Sequence, residues 1–322
     1  MQSYNWQRRR ISTSRMNESL IIETSQCDSL LGSWTQTHWI PASDDPLAGA
    51  VERIWDFEGS LTHRREQLFP NGLLELVIQL DEPHRSVDRD AREPFPAICL
   101  DGLHTVTSTI EGPRGRFRVL GIRLRPLGAF ALIGVSLAEL TDRSVDLCAV
   151  LGRPASDLGQ RLEQQRQGAA RVRTAVHWLR ARLARARGVD PLVAAVLGRI
   201  ERDGGRVSIA QLDEVGGRSR SRLAQRFREQ VGLAPKRYAR VVRFRRALEL
   251  LGTGVSGASV GSLSTIALAA GYYDQAHMNA EFREHAGLPP RRYRESLHFL
   301  GSNHLAHADV ADELGGSFFQ DA

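Results

Sequence analysis

The sequence has almost no lysine. Of 43 basic residues in a chain of 322, Lys236 is the single lysine, which leaves 43 − 1 = 42 arginines. Any surface that draws a polyanion therefore does so with guanidinium groups. Cysteine is scarce too. Cys27, Cys99 and Cys148 lie too far apart for a CxxC metal motif, and three thiols do not make a disulfide framework, so a reducing compartment fits. No apolar run approaches the ~18 residues of a membrane helix. The opening MQSYNWQRRRISTSRM has no apolar centre and is not a secretory signal. It reads as an arm, with Met16 as an alternative start. Also missing are a glycine-rich phosphate loop and an HxH pair. The ten histidines are scattered, and His304 and His307 stand in an unpatterned tail.

What is present is ordinary in amount and uneven in placement. Hydrophobic residues make up 42% and charged residues 25%, as in soluble globular proteins. DDPLAGAVERIWDFEG (44–59) has an N-capping Asp45, Pro46 at a first helical position, and Leu47, Val51, Ile54 and Trp55 at helical spacing, so a helix is expected there. Residues 73–80, 96–103, 105–111 and 116–126 read as strands between Gly/Pro turns. Beyond Pro126 the pattern is helical, with arginine-rich segments at 155–166 and 170–187. The fold expected is an α+β N-terminal domain joined by helices to an all-α C-terminal domain. Its parts are a disordered arm (1–35), an α+β regulatory or sensor domain (36–152), a helical connector (153–188), a helical domain (189–299) and a disordered tail (300–322).

One signature occurs twice in the helical part. SRSRLAQRFREQVGLAPKRY (219–238) and DQAHMNAEFREHAGLPPRRY (274–293) share eight of twenty positions at an offset of 55 residues. Each copy follows a short helix and a Gly-containing turn, first at Ser208–Gln211 with Gly216-Gly217, then at 266–270 with Gly271. That is a helix-turn-helix pattern. Ser219 and Asp274 are suited to cap the longer helices. Leu223, Phe227 and Val231 fall on one face, matched by Met278, Phe282 and Ala286. The shared residues make the scaffold, and the differing ones are free to face outward. Lys236–Leu251 reads as a joining helix, ~24 Å long at 1.5 Å per residue, which suits two recognition helices about one DNA turn, ~34 Å, apart. Residues 218–246 hold eleven basic residues and one acid, Glu229, a local charge of 11 − 1 = +10 within a chain of net +6. Asp274–Arg294 balances four arginines against three acids, only +1, and Glu281 there stands where the first copy has Arg226.

Residues 190–299 resemble the DNA-binding domain of the AraC/XylS family of bacterial transcription regulators. The two repeats, VVRFRRALELL (241–251) and IALAAGYYDQAH (266–277) carry the resemblance. Residues 44–152 resemble, more loosely, the poorly characterised N-terminal domain that precedes such domains. The cues there are Leu47, Val51, Trp55, Pro70, Gly72, Glu75 and the run 121–142. Asp213, at a position usually small in the family, and the long GTGVSGASVGS link (252–262) depart from the pattern.

The resemblance implies two recognition helices reading successive major grooves of double-stranded DNA. By position, base reading falls to Arg220, Ser221, Arg222 and Gln225 in the first copy and to Ala276, His277, Asn279 and Ala280 in the second. Phosphate contacts fall to Lys236, Arg237, Arg240 and Arg243 at the start of the joining helix, and to Arg291 and Arg292. Arg243 has a second reading, a buried structural ion pair. The implied partners are DNA, a small-molecule effector, a second copy of the chain and, for an activator, RNA polymerase. No cofactor is implied, and the implied location is cytoplasmic, on the nucleoid. The alternative is a metal-dependent or alkyl-transfer enzyme fused to a DNA-binding domain, the metal held by His63, Glu75 and His104. No cysteine stands in a context that suggests alkyl transfer.

Overall fold

The computed structural model describes residues 7–16, 20–29, 32–88, 93–206, 220–252, 261–295 and 304–306. The first short helix expected at 208–216, Asp213, the capping Ser219, most of the Gly/Ser link and His307 lie outside these residues.

The N-terminal part is two antiparallel sheets. The larger has eight strands in the order β1 (Gln7–Met16), β2 (Leu20–Ser29), β3 (Gly32–Trp39), β4 (Val51–Leu61), β10 (Arg116–Leu124), β6 (Leu74–Gln79), β8 (Ile98–Asp101) and β11 (Ser144–Asp146). The smaller runs β12 (His304–Ala306), β5 (Arg65–Leu68), β9 (Ser108–Glu111) and β7 (Arg85–Ser86). Three expectations are corrected here. Residues 7–16, 20–29 and 32–39, read mostly as an arm, are three strands. Within the expected tail, 304–306 pairs with β5. And 51–61 is a strand rather than the second half of a helix.

The last difference has a clear physical reason. Asp45 does cap, accepting from the Leu47 amide at 2.8 Å, but it closes a turn. From Val51 the chain pairs along its length with β3 on one side and β10 on the other. Side chains then alternate with period 2. Ile54 and Asp56 face the helices, while Trp55 and Phe57 face the smaller sheet. The apparent 3.6 spacing of Leu47, Val51, Ile54 and Trp55 came from mixing two faces of a strand.

The helix-facing side of the large sheet packs on α1 (Pro126–Ile133), a 3₁₀ turn (Leu137–Leu140), α2 (Leu147–Leu151), α3 (Arg153–Glu163) and α4 (Gly168–Leu183). The segment 153–188 is helical as expected. It is not a free-standing connector, because Val172, Val176 and Leu179 are fully buried against the sheet. Arg171, also fully buried, is clamped by Asp56 (2.6 and 2.7 Å) and Glu58 (3.0 Å) from β4.

The C-terminal part is helical: α5 (Pro191–Arg202), α6 (Arg220–Val231), α7 (Pro235–Gly252), α8 (Leu263–Ala270), α9 (Gln275–Ala286) and α10 (Pro290–Glu295). Asp190 caps α5, and Asp274 caps α9 by accepting from the His277 amide at 2.7 Å. Gly232 (φ 103°) and Gly287 (φ 73°), equivalent in the repeat, turn left-handed just beyond α6 and α9. Only glycine takes that conformation without strain. One apolar cluster runs from Ile22 in β2 to Val242 in α7, so the two parts share a core. A second gathers α7 to α10 around Phe244 and Phe282 and includes Phe69 from the sheet domain.

Candidate nucleic-acid interface

Helices α6 and α9 bury the same face of the repeated signature. Phe227 and Val231 are fully buried, as are Met278 and Phe282, while Leu223 and Ala286 pack at the edge of their clusters. Tyr238 closes the first unit, its ring edge-on to Phe227 at 6.2 Å and its hydroxyl donating to Glu201 at 2.9 Å. Tyr293 closes the second, edge-on to Phe282 at 5.5 Å and to Phe69 at 5.3 Å.

The outward faces carry most of the base-reading candidates. Ser221, Arg222 and Gln225 are exposed on α6, and Ala276, His277 and Ala280 on α9. Arg220 opens α6. Asn279 departs from the expectation: it is half-buried, and its Oδ1 is enclosed without a hydrogen-bond partner. Its carbonyl oxygen is turned into the protein. His277 is exposed but tethered. Its Nδ1 accepts from the Tyr273 amide (3.3 Å), so Nε2 carries the proton and lies 3.5 Å from Glu281.

The basic block serves a purpose that its charge did not reveal. Arg240 donates from Nε to Glu281 at 2.8 Å and also pairs with Glu284. Arg243 donates to both Glu281 oxygens at 2.8 and 3.1 Å, and to the Gly205 carbonyl at 2.9 Å. Glu281 is itself buried. It therefore does not face a phosphate and repel it; it pins α9 to the joining helix α7. Arg240 and Arg243 are occupied by that pin, and neither presents its guanidinium to a phosphate in this arrangement. Arg226 pairs with Asp190, and Arg237 donates to Thr105 at 2.8 Å. Arg245 donates to the Asn71 carbonyl at 3.1 Å. Of the phosphate candidates, Lys236, Arg237, Arg291 and Arg292 are exposed, Arg291 with Glu295 at 3.1 Å.

The sheet domain grips both units and the helix between them. Thr141 donates to the Gly232 carbonyl at the end of α6 (2.7 Å), and Thr107 donates to the His285 carbonyl in α9 (3.0 Å). The His285 ring donates from Nδ1 to the Thr105 carbonyl at 2.6 Å. Burial pushes His285 below its ordinary pKa, partly offset by that carbonyl. The β5–β6 connection reaches α7, where the Tyr238 hydroxyl proton is shared between Glu201 and, at 3.3 Å, the Gly72 carbonyl. None of these contacts was legible from spacing, because each joins residues more than 90 apart in sequence.

Comparison with known proteins bears on this architecture. A model described as a helix-turn-helix domain matches residues 214–296, and a domain of unknown function (DUF6597) matches residues 40–146. A Streptomyces lividans protein described as an AraC-like transcription regulator is 34% identical over 107 residues. Residues 214–296 are a helix-turn-helix domain of the AraC type. The Streptomyces match takes in 33% of this chain and 34% of that protein. An uncharacterized HTH-type transcriptional regulator of Haemophilus influenzae is 34% identical over 89 residues, 28% of each chain. The chain thus spans about a third of the length of these relatives. Among solved structures, ToxT from Vibrio cholerae O395 aligns over 74% of this chain and 95% of its own at 11% identity and a TM-score of 0.39. The C-terminal domain of AraT, a response regulator from Geobacillus stearothermophilus, aligns over 36% and 93% at 19% identity and a TM-score of 0.32. The region N-terminal to the AraC-type domain holds the second feature of note, a cavity of about 120 Å³ between the two sheets.

No three His, Cys, Asp or Glu side chains converge to hold a metal ion among the described residues. His63 is buried beside Glu66, with Nε2 at 3.9 Å from its carboxylate. Glu75 instead accepts from Trp55 (2.6 Å) and Arg123 (3.2 Å). No described helix is long and apolar enough to cross a membrane.

Proposed function

We propose that this chain is a sequence-specific double-stranded DNA-binding transcription regulator. Its AraC-type domain sets α6 and α9 into successive major grooves, and its sheet domain senses an effector or dimerises. The observation that carries the reading is the paired construction of α6 and α9. Both bury the same face of one signature on a common helix, α7, and turn different polar residues outward. Helix α7 has 18 residues, ~27 Å at 1.5 Å per residue, of the order of the ~34 Å between successive major grooves. Ser221, Arg222 and Gln225 read bases from the first unit, with Arg220 beside them; Ala276, His277 and Ala280 do so from the second. Lys236, Arg237, Arg291 and Arg292 meet phosphates. The protein works on the nucleoid in the cytoplasm, and RNA polymerase is its further partner if it activates.

A sensing role for the sheet domain is favoured by one piece of geometry. Leu68 and Glu75 line the cavity between the sheets. The segment between them, 69–73, sends Phe69 into the core of the second unit and holds Arg245 and Tyr238 of α7. What enters the cavity thus acts on the ends of the segment that grips the joining helix.

Selection of bound sequences from random duplex DNA tests the proposal. A discrete site about two helical turns long is expected, with Gln225→Ala relaxing one or two of its base pairs at about 1–3 kcal/mol. Equal, purely salt-governed affinity for every sequence would overturn it. Turnover of a substrate by the sheet domain would favour the enzyme alternative.

A further inference from the structure

We propose that Tyr273 is a specificity-determining residue of the second unit, and that its ring reads the C5 methyl of a thymine in the major groove. The inference rests on the reading of this chain as a sequence-specific DNA-binding regulator, and it names a base feature that α9 recognises.

Two consecutive tyrosines stand in the turn between α8 and α9, in opposite settings. Tyr272 is 3% exposed. The Arg243 guanidinium lies over its ring at 5.7 Å, and the His277 ring meets it edge-on at 5.3 Å. Tyr272 thus packs the turn. Tyr273 is 87% exposed, the most of any large apolar side chain among the described residues. A single aromatic residue at a surface is ordinary; the place of this one is not. It stands immediately before Asp274, which caps α9, and recognition helices meet base edges with their N-terminal residues. Its backbone is also fixed there. The Tyr273 amide donates to Nδ1 of His277 at 3.3 Å, and His277 is an exposed residue in the first turn of α9. The ring is therefore carried beside the face that α9 presents.

What that ring can recognise follows from its neighbours. Among the residues assigned to base reading on α9, Ala276 and Ala280 carry only methyl groups. Asn279 has its Oδ1 enclosed, and His277 is tethered at Nδ1, with Nε2 3.5 Å from Glu281. Gln275 and Arg283, exposed on α9 as well, remain for polar contacts. The small alanines permit close approach, and Tyr273 adds an aromatic surface to theirs. The one apolar feature that base pairs offer in the major groove is the thymine C5 methyl. A ring now covered by water gains by burying that methyl. At the other three bases it meets only polar edges. The phenol oxygen, at the far end of the ring, stays in water.

The test deletes the methyl from the DNA. Selection from random duplexes by the full chain supplies the site. Each thymine in it is then replaced in turn by deoxyuridine, which lacks only the C5 methyl, and fluorescence anisotropy reads the affinity of labelled duplexes. At one or two thymines the unmodified chain should lose about fourfold, the factor that burial of one carbon group is worth. Tyr273→Ala should abolish that loss, while deoxyuridine at the other thymines acts as before. Tyr273→Phe should retain it. Each comparison sets two duplexes against the same variant, so any general loss of affinity or of folded protein cancels. The proposal is overturned if no thymine shows a loss that depends on Tyr273. It is overturned equally if Tyr273→Phe erases the loss as fully as Tyr273→Ala, which would make the hydroxyl the contact. Either result leaves the selected site, and with it the regulator reading, intact. A selection that yields no discrete site defeats that reading, and this inference with it.

Discussion

Glu281 gives opposite expectations in its two settings. As a charge on a recognition helix it repels phosphate, and its removal tightens binding to all DNA. As the buried pin seen here, its removal frees α9. The structure supplies the magnitude. Glu281 accepts three charged hydrogen bonds, one from Arg240 and two from Arg243. Arg240 keeps Glu284 when Glu281 is lost, so the cost concentrates on Arg243, whose side chain is only 14% exposed. Breaking a buried pair from one side costs about 3–5 kcal/mol. Partial exposure and the surviving bond to the Gly205 carbonyl bring Glu281→Ala to about 2 kcal/mol, and Glu281→Gln, which keeps one acceptor, to about 1 kcal/mol. Urea denaturation of the full chain measures the loss. Fluorescence anisotropy with a selected site and a scrambled one measures its effect on recognition. The selected site should lose affinity more than the scrambled one, because the second helix is no longer held in register with the first. Unchanged stability with uniformly tighter DNA binding would refute the pin and restore the phosphate-repulsion picture.

Acid should loosen the grip of the sheet domain on the second unit. The folded His285 titrates below its ordinary 6.5, so its contribution is whole above that value and is lost as pH falls from 6.5 through the folded pKa. His63 acts in the same direction. Melting at pH 7 and pH 5 should show the loss, and His285→Gln should shrink it; an unchanged pH slope in that variant would count against the assignment. Asp56→Ala should destabilise the chain by about 3–5 kcal/mol, since it leaves the fully buried Arg171 with Glu58 as its one charged partner beside the Gln165 carbonyl; a loss under about 1 kcal/mol in urea would contradict the clamp. Tyr238→Phe should cost about 1 kcal/mol by removing the bonds to Glu201 and Gly72, and limited proteolysis should then cut more readily within 69–73; an unaltered digestion pattern would argue against that contact as a brace.

The helical half was legible because its signals are local. Asp190 and Asp274 cap where their type and place suggest, and the spacing Phe227–Val231 and Phe282–Ala286 marks the buried face directly. The sheet half was harder for a physical reason. Val51 to Trp55 satisfies a helical and a strand pattern at once, and the choice was made by partners in β3 and β10 far along the chain. The site shows the same division. Ser221, Gln225, Ala276 and Ala280 face outward as their differences between copies suggested. Arg240 and Glu281 were assigned by charge, and each other's company decided otherwise; Arg243 took its second reading, the buried ion pair; Asn279, assigned by position, has its Oδ1 enclosed. A signal for the pin did exist: an acid at Glu281 on a helix whose partner face is full of arginine is as natural a counter-ion as it is a repellent.

The apolar cluster that passes unbroken from Ile22 to Val242 constrains how such a chain can be recombined. Two family matches lie on either side of residues 147–213, one ending at residue 146 and the other beginning at 214, which invites treating the halves as interchangeable modules. The core ignores that seam. Leu103 and Leu137 of the sheet half lie against Gly232, and Phe69 sits among the aromatics of the second unit. A chimera that grafts a foreign N-terminal domain onto these helices must carry over those three contacts, or the recipient exposes the ends of both helix-turn-helix units to water. The two parts fold around one shared interior, so a domain swap succeeds only where the donor's buried surface has the same relief.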